Sequence, residues 1–255
     1  MRVYLDRSAE HSLRPLDRAS TRGGLTQTPL CTSVSLQHYG KRLSDGRTAA
    51  TQRRCRGIWE VFVSVAGIDG SGKTRLAQWA ARKFGLFYRK QTRGRRFEAL
   101  AAGDLLVTPM SRRGSALASA YSLDFHDYAT RYGPKAGDRC PPIYDRWKTC
   151  VRAYAHAFAI NPESVDDTIS VVPDADLEIL LDVPVQVALR RIAARGIPDS
   201  DENEAMLASL RESYIKIADK SKSIVVVCAD REFELISEES FPILSSFFAD
   251  AETER

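Results

Sequence analysis

Residues 67–74 read Gly67-Ile68-Asp69-Gly70-Ser71-Gly72-Lys73-Thr74. A glycine, four residues and then Gly-Lys-Thr is a spacing suited to cradling phosphate. Glycines lack Cβ, so the backbone can turn tightly and aim successive N–H groups at anionic oxygens. A helix opening at Lys73 would add the positive end of its dipole. The Lys73 ammonium would reach the β- and γ-phosphates of a nucleoside triphosphate, and the Thr74 hydroxyl would ligate Mg²⁺. Gly67, Gly70, Ser71, Gly72, Lys73 and Thr74 are therefore candidate nucleotide-binding residues, with Asp69 inside the same loop.

Two further groups carry charge where chemistry could use it. The run Pro142-Ile143-Tyr144-Asp145-Arg146-Trp147 puts a carboxylate and a guanidinium at the end of a short apolar stretch. Asp145 could hold Mg²⁺ and Arg146 could bridge two phosphate groups; a structural ion pair is the alternative. Residues 89–96, Arg-Lys-Gln-Thr-Arg-Gly-Arg-Arg, are densely cationic. Arg89, Arg93, Arg95 or Arg96 could clamp an anionic substrate, or the stretch could be a solvated basic loop.

These groups need elements to hold them. Residues 59–66 are β-branched and aromatic, a buried strand by composition. Residues 75–84 read as a helix stopped by Gly85. Residues 86–88 form a short strand, and the basic stretch then lies beyond a strand's C-terminal end, where open α/β sheets bind ligands. Helices are expected over 98–107, 115–131, 148–159, 185–194, 203–219 and 232–248. Strands are expected over 142–147, 177–183 and 223–229. Asn161-Pro162-Glu163 reads as a breaker. The alternation of strand and helix argues for a mostly parallel sheet with helices on both faces.

The 255 residues suffice for one α/β domain with extensions. Residues 1–56 carry 11 basic and 4 acidic side chains, a charge of +7, and the remainder carries −3, so the basic character of the +4 chain belongs to this segment. It is weak evidence for nucleic-acid binding by the folded part. The segment shows no apolar period and is rich in Ser, Thr, Arg and Gly. A disordered tail, a translation start placed too far upstream, and an organelle transit peptide all fit, the last opposed by Asp6, Glu10 and Asp17. The expected organisation is an N-terminal extension over 1–56, a domain over 57–250 and a tail over 251–255. Five cysteines, none in metal-site spacing, argue for reduced thiols in a reducing compartment and hence a cytoplasmic protein. No apolar run reaches the length that crosses a bilayer.

Three stretches resemble the thymidylate kinase family of nucleoside monophosphate kinases. They are residues 67–74 with the acidic Asp69, Asp145-Arg146-Trp147 followed by Ala153-Tyr154, and Pro173-Asp174 through Arg195-Gly196. The resemblance covers about residues 58–250. It implies the P-loop NTPase fold, three layers around a mostly parallel five-stranded sheet with a small mobile lid. It implies ATP-dependent phosphorylation of dTMP to dTDP with Mg²⁺, on a small-molecule nucleotide, in what is usually a homodimer. Position by position it implies that Lys73 binds ATP phosphates and that Asp69 lies near the acceptor's sugar and the metal. Asp145 and Arg146 act at the metal and the transferred phosphoryl, and Arg191 and Arg195 close over the phosphates. Arg93, Phe125 and Tyr154 are the expected substrate contacts.

The chain departs from the family pattern in two places. The stretch 89–96 lacks the family's proline and acid, and Phe125 stands where an arginine reads the base. An aromatic can stack on a base but cannot hydrogen-bond its edge. A kinase of a modified nucleotide, a nucleoside or another small metabolite is thus a second reading. A nucleotide-binding module without transfer activity is a third.

Overall fold

The computed structural model describes residues 61–102, 110–135, 140–158, 160, 162–196 and 202–253. The segment 1–56, and the loop after Gly196 expected to open the lid, lie outside the described residues or largely so.

Five strands form one sheet: β1 (Val63–Ala66), β2 (Phe87–Lys90), β3 (Pro142–Asp145), β4 (Leu177–Asp182) and β5 (Ile224–Cys228). Their order is β2-β3-β1-β4-β5 and every pairing is parallel. The expected mostly parallel sheet is therefore wholly parallel. β1, β3 and β4 are buried at every position, as continuous apolar strands with both faces covered must be.

The helices are α1 (Lys73–Phe84), α2 (Arg95–Ala102), α3 (Met110–Tyr132), α4 (Lys148–Ala157), α5 (Pro162–Ile169), α6 (Val185–Arg195), α7 (Glu204–Asp219) and α8 (Phe233–Thr253). The chain steps outward from β1 to β2 and then returns through β3 toward β4 and β5. Right-handed crossovers consequently place α1 on one face and α2 to α7 on the other. The packing agrees. Phe84 of α1 lies 5.5 Å from the Phe241 ring and 5.7 Å from the Phe248 ring of α8. On the opposite face α4 packs on α3, α5 and α7.

Several boundaries move. β2 runs to Lys90, so Arg89 and Lys90 belong to a strand rather than to a loop. Asn161-Pro162-Glu163 does not simply break the chain. Pro162 opens α5, where its missing N–H costs nothing in the first turn. α8 continues to Thr253, past the expected tail boundary. Local signals fixed other ends. Gly85 ends α1 in the left-handed region at φ 66, and the Asn203 side chain caps α7 by accepting from the Met206 N–H at 3.0 Å.

An aromatic cluster fills the space between sheet and α3. Trp147 packs against Tyr144 at 4.2 Å, Phe62 at 5.3 Å and Phe125 at 5.1 Å between ring centroids. Its indole N–H donates to the Pro173 carbonyl at 2.9 Å, which satisfies the one polar atom that this burial strands.

Candidate active site

β1 delivers residues 67–74 to the C-terminal edge of the sheet. The loop is wedged between β4 and α6. A Cβ on Gly67 would stand 2.6 Å from the Leu181 carbonyl oxygen, and one on Gly70 would stand 2.6 Å from the Ala188 carbonyl oxygen. Both residues also have positive φ, 138 and 79. Side chains are excluded twice, by space and by backbone conformation. Gly72, at φ 97, leads directly into α1.

Lys73, the first residue of α1, folds back over this loop. Its ammonium donates to the Ile68 carbonyl at 2.7 Å and stands 3.6 Å from Asp69 Oδ1. Asp69 also takes an ion pair from Arg146. Burial alone would push the Asp69 carboxyl up, but Arg146, Lys73, Arg93 and Arg195 together hold it well below the usual carboxylate range. Burial, reinforced by Arg146, brings the Lys73 ammonium down to about 8. Burial works against the Arg146 charge as well, yet Asp69 more than compensates and its pKa rises well above normal.

Asp145 and Arg146 are adjacent in sequence but do not pair with each other. Arg146 sits at φ 76, a left-handed conformation unusual for a side chain of this size. That twist sends the guanidinium to Asp69 while Asp145 turns toward α1. The Thr74 hydroxyl donates to Asp145 Oδ2 at 2.5 Å, and the Tyr88 hydroxyl donates to the same oxygen at 3.3 Å. Asp145 is fully buried, and among the described residues its Oδ1 has no hydrogen-bond partner. One carboxylate and one hydroxyl side by side, with an oxygen to spare, fit Mg²⁺. That ion is usually held by one or two protein oxygens plus substrate phosphates rather than by an all-protein cage. Ser71 Oγ is likewise buried without a partner among the described residues.

A cleft of about 880 Å³ opens over these groups. Its walls include Lys90, Asp145, Arg146, Arg191 and Arg195, with Asp230 to Phe233 on the far side. Arg191 links the two rims, donating at 3.4 Å to the carbonyls of Gly70 and of Arg231. Arg195, more exposed, is ion-paired to the buried Glu202. Arg75 lies 4.0 Å over the Phe233 ring.

The acceptor side differs from expectation. Phe125 is wholly buried and meets Trp147 edge-on, so it offers no face for a base to stack on. Tyr154 is also buried, ring to ring with Tyr121 at 5.3 Å. Both expected substrate contacts are core residues, because the aromatic cluster behind β3 needs their volume. Arg96 is committed as well, donating to Asp124 at 2.9 Å and Asp127 at 2.7 Å on α3. Asp124 in turn accepts from the Phe97 N–H at 2.9 Å and so caps α2 from outside. Arg89 lies over the rings of Phe87 and Tyr132. Arg95 is exposed. Of the expected clamp, Arg93 is the arginine whose charge Asp69 feels.

Tyr88 was missed by the sequence reading. Its phenol is raised to about 12 by burial and by the neighbouring Asp145. A signal existed: Tyr88 and the cleft residue Lys90 are two apart on one strand and so share a face. Gln91 was also missed. It is fully buried, its backbone N–H donates to the Asp145 carbonyl at 3.0 Å, and its side chain accepts from the Tyr121 hydroxyl at 3.0 Å. It ties the end of β2 to that of β3.

The comparisons with known proteins agree with this geometry. The family model described as thymidylate kinase matches residues 65–240. A probable thymidylate kinase of Pyrococcus abyssi is 28% identical over 189 residues, spanning 70% of this chain and 92% of the relative. A probable thymidylate kinase of Pyrobaculum calidifontis is 30% identical over 67% of this chain and 89% of the relative. A thymidylate kinase of Xylella fastidiosa is 28% identical over 68% of this chain and 85% of the relative. That match spans the phosphate loop, the Asp145-Arg146 corner and β2 to β5, and the chain belongs to the thymidylate kinase family.

Proposed function

We propose that this protein transfers the γ-phosphoryl group of ATP to dTMP, giving dTDP and ADP. The observation that carries the reading is the convergence of Lys73, Asp69, Arg146, Thr74 and Asp145, from the ends of the two neighbouring strands β1 and β3, on one cleft. Phosphoryl transfer asks little covalent chemistry of a protein; positioning and charge neutralisation supply most of the rate. Lys73 and the loop residues Gly67, Gly70, Ser71 and Gly72 hold the triphosphate. Thr74 and Asp145 would hold Mg²⁺, which would supply charge that neutralises the phosphates. Asp69 anchors Arg146, keeping a permanent cation at the point where donor and acceptor meet. Arg191 and Arg195 add positive charge from α6, and Arg93 faces the acceptor's phosphate.

An ADP-release assay across dTMP, dUMP, dCMP, dAMP and dGMP tests this. We expect dTMP to give the highest kcat/KM. Absence of acceptor-dependent ADP release with all five would remove the nucleotide-kinase reading.

A second reading is favoured by the acceptor side: the same chemistry directed at a modified nucleotide, a nucleoside or another small metabolite. Phe125 and Arg96 are both committed to the protein itself, so the base meets other groups than in the family pattern. Turnover confined to a non-standard acceptor supports this reading, and strong dTMP turnover removes it.

The homodimer implied by the family is part of the proposal. Phe87 and Tyr132 are large exposed hydrophobics joined by Arg89, a patch suited to a second copy. A cytoplasmic setting is supported by the free thiols of Cys140, Cys150 and Cys228. Among the described residues no helix is long and apolar enough to cross a membrane.

A further inference from the structure

A second cavity, of about 420 Å³, lies away from the phosphate loop. Its floor includes Glu178, Ser223 and Ile224, at the N-terminal ends of β4 and β5. The phosphate loop lies at the opposite, C-terminal end of the sheet. Two helices form the walls. Lys148, Arg152 and His156 line it from α4, at i, i+4 and i+8, and so form one stripe along that helix. Lys216 and Lys220 line it from the end of α7. Two basic stripes thus face each other across a groove, with Asp174 and Glu178 the acidic groups between them.

The groups differ in how far they are committed. Lys148 is buried, donating to the Val172 carbonyl at 2.8 Å and standing 3.4 Å from Asp174. Arg152 is shared between Asp166 at 2.7 Å and Asp174 at 3.1 Å. Lys216 pairs with Glu212 one turn away, where both are exposed and the pairing is weak. The excess charge of the groove is therefore positive at its rim.

The floor adds an independent observation. Glu178 is 2% exposed. Its Oε2 accepts from the Ser64 hydroxyl, but among the described residues its Oε1 has no hydrogen-bond partner. An unsatisfied buried carboxyl oxygen costs stability unless something meets it. Burial raises its pKa, against the lowering pull of the Ser64 and Thr149 hydroxyls beside it. The hydroxyls of Ser221 and Ser223 lie on the same wall.

We propose that this groove is a second ligand site, distinct from the catalytic cleft. It takes a phosphorylated small molecule whose body carries hydroxyl or amide groups. The phosphate meets Lys216, Lys220 and His156 at the rim, where charge-assisted hydrogen bonds are strong. The polar body meets Glu178 and the serine hydroxyls at the floor. The site is placed to influence catalysis. Lys148 is two residues from Arg146 in the chain, and Ser64, the partner of Glu178, lies in β1 just before the phosphate loop. A ligand here acts on both strands that carry the catalytic groups.

Ribose 5-phosphate is a suitable probe, and isothermal titration into the full-length wild-type protein is the measurement. The comparison is the K216E/K220E variant, altered at exposed positions remote from the phosphate loop. We expect saturable binding to the wild type, weakened about tenfold or more in the variant. The kcat and KM of the variant without probe should match the wild type. E178Q, which keeps the shape of the side chain, should weaken ribose 5-phosphate more than it weakens inorganic pyrophosphate, which has no polar body. Absence of binding by wild type at about 10 mM probe, a range corresponding to under 3 kcal/mol of affinity, overturns the proposal. So does binding that survives K216E/K220E, which would place the probe in the catalytic cleft. The test stands apart from the identity of the acceptor, because it measures no turnover.

Discussion

The two sides of the catalytic cleft are built by different means. The triphosphate side is made by one short stretch of chain. Its glycines, Lys73 and Thr74 follow one another within eight residues, and their geometry follows from a strand, a tight loop and a helix. The side expected to take the acceptor brings together β2, α2 and α3 through contacts about thirty residues apart, such as Arg96 with Asp124 and Gln91 with Tyr121. Spacing alone specifies the first. The second depends on which of several similar arginines, tyrosines and aspartates packing leaves facing the cleft.

That contrast can be broken or sharpened by experiment. The largest effect should come from Phe125→Ala. If Phe125 is core, the change costs about 3–5 kcal/mol of stability through lost burial and a cavity, read as a lower denaturation midpoint. Phe125→Leu should leave the order of acceptor preference unchanged. A shift in that order among nucleotides would return Phe125 to the base pocket.

On the triphosphate side, Lys73→Ala should lower kcat about 10²–10³-fold, the usual cost of removing one preorganised electrostatic group. Circular dichroism should show the fold intact. Survival of turnover within about tenfold would mean that Lys73 does not hold the phosphates.

Asp124→Ala removes the cap of α2 and a partner of Arg96. A loss of about 1–3 kcal/mol is expected, with the acceptor KM raised and the ATP KM nearly unchanged. Equal changes in both would show that the two sides are not separable.

The Lys73 ammonium supplies a pH test. Its folded pKa, about 8, lies below the ordinary lysine value of 10.5. The cation is therefore lost as pH rises through about 8, and kcat/KM for ATP should fall on that limb. Bound triphosphate favours the charged ammonium, so the limb in kcat should lie at higher pH. For stability the sign is opposite. Between about 8 and 10.5 the unfolded chain binds more protons than the native one, so this group makes folding more favourable as pH rises. The Lys73→Met variant should lose both limbs.

The smallest effect belongs to Tyr88→Phe. Loss of one hydrogen bond to Asp145 is worth about 1 kcal/mol. A several-fold weaker Mg²⁺ activation is expected with an unchanged acceptor KM, and Mn²⁺ binding followed by electron paramagnetic resonance gives a readout independent of turnover.

How much was legible in the sequence varies along the chain. The strands β1, β3, β4 and β5 and the loop at 67–74 could be read because apolar strand runs and glycine spacing are local signals, while the half-exposed β2 was read only as 86–88. The helix Pro162–Ile169 was not, because a proline that breaks one helix also starts the next. The burial of Phe125 was not legible either, because a helix position faces cleft or core according to how that helix rolls on the sheet. Local periodicity does not fix that roll when Tyr121, Phe125 and Tyr128 all offer apolar surface.

The sequence by itself determined the loop at 67–74, the adjacent Asp145-Arg146 and, with them, the kinase family, since these features rest on backbone and on neighbours in the chain. Only the tertiary structure decided that Asp145 and Arg146 separate, the one toward Thr74 and Tyr88, the other toward Asp69. It alone buried Phe125 and Tyr154 among other rings, paired Arg96 with Asp124 and Asp127, and opposed α4 and α7 across a basic groove. The reason is the same in each case. Side chains far apart in sequence meet only when close packing of the layers sets the distance, and in a dense interior volume and charge pairing are satisfied together or not at all.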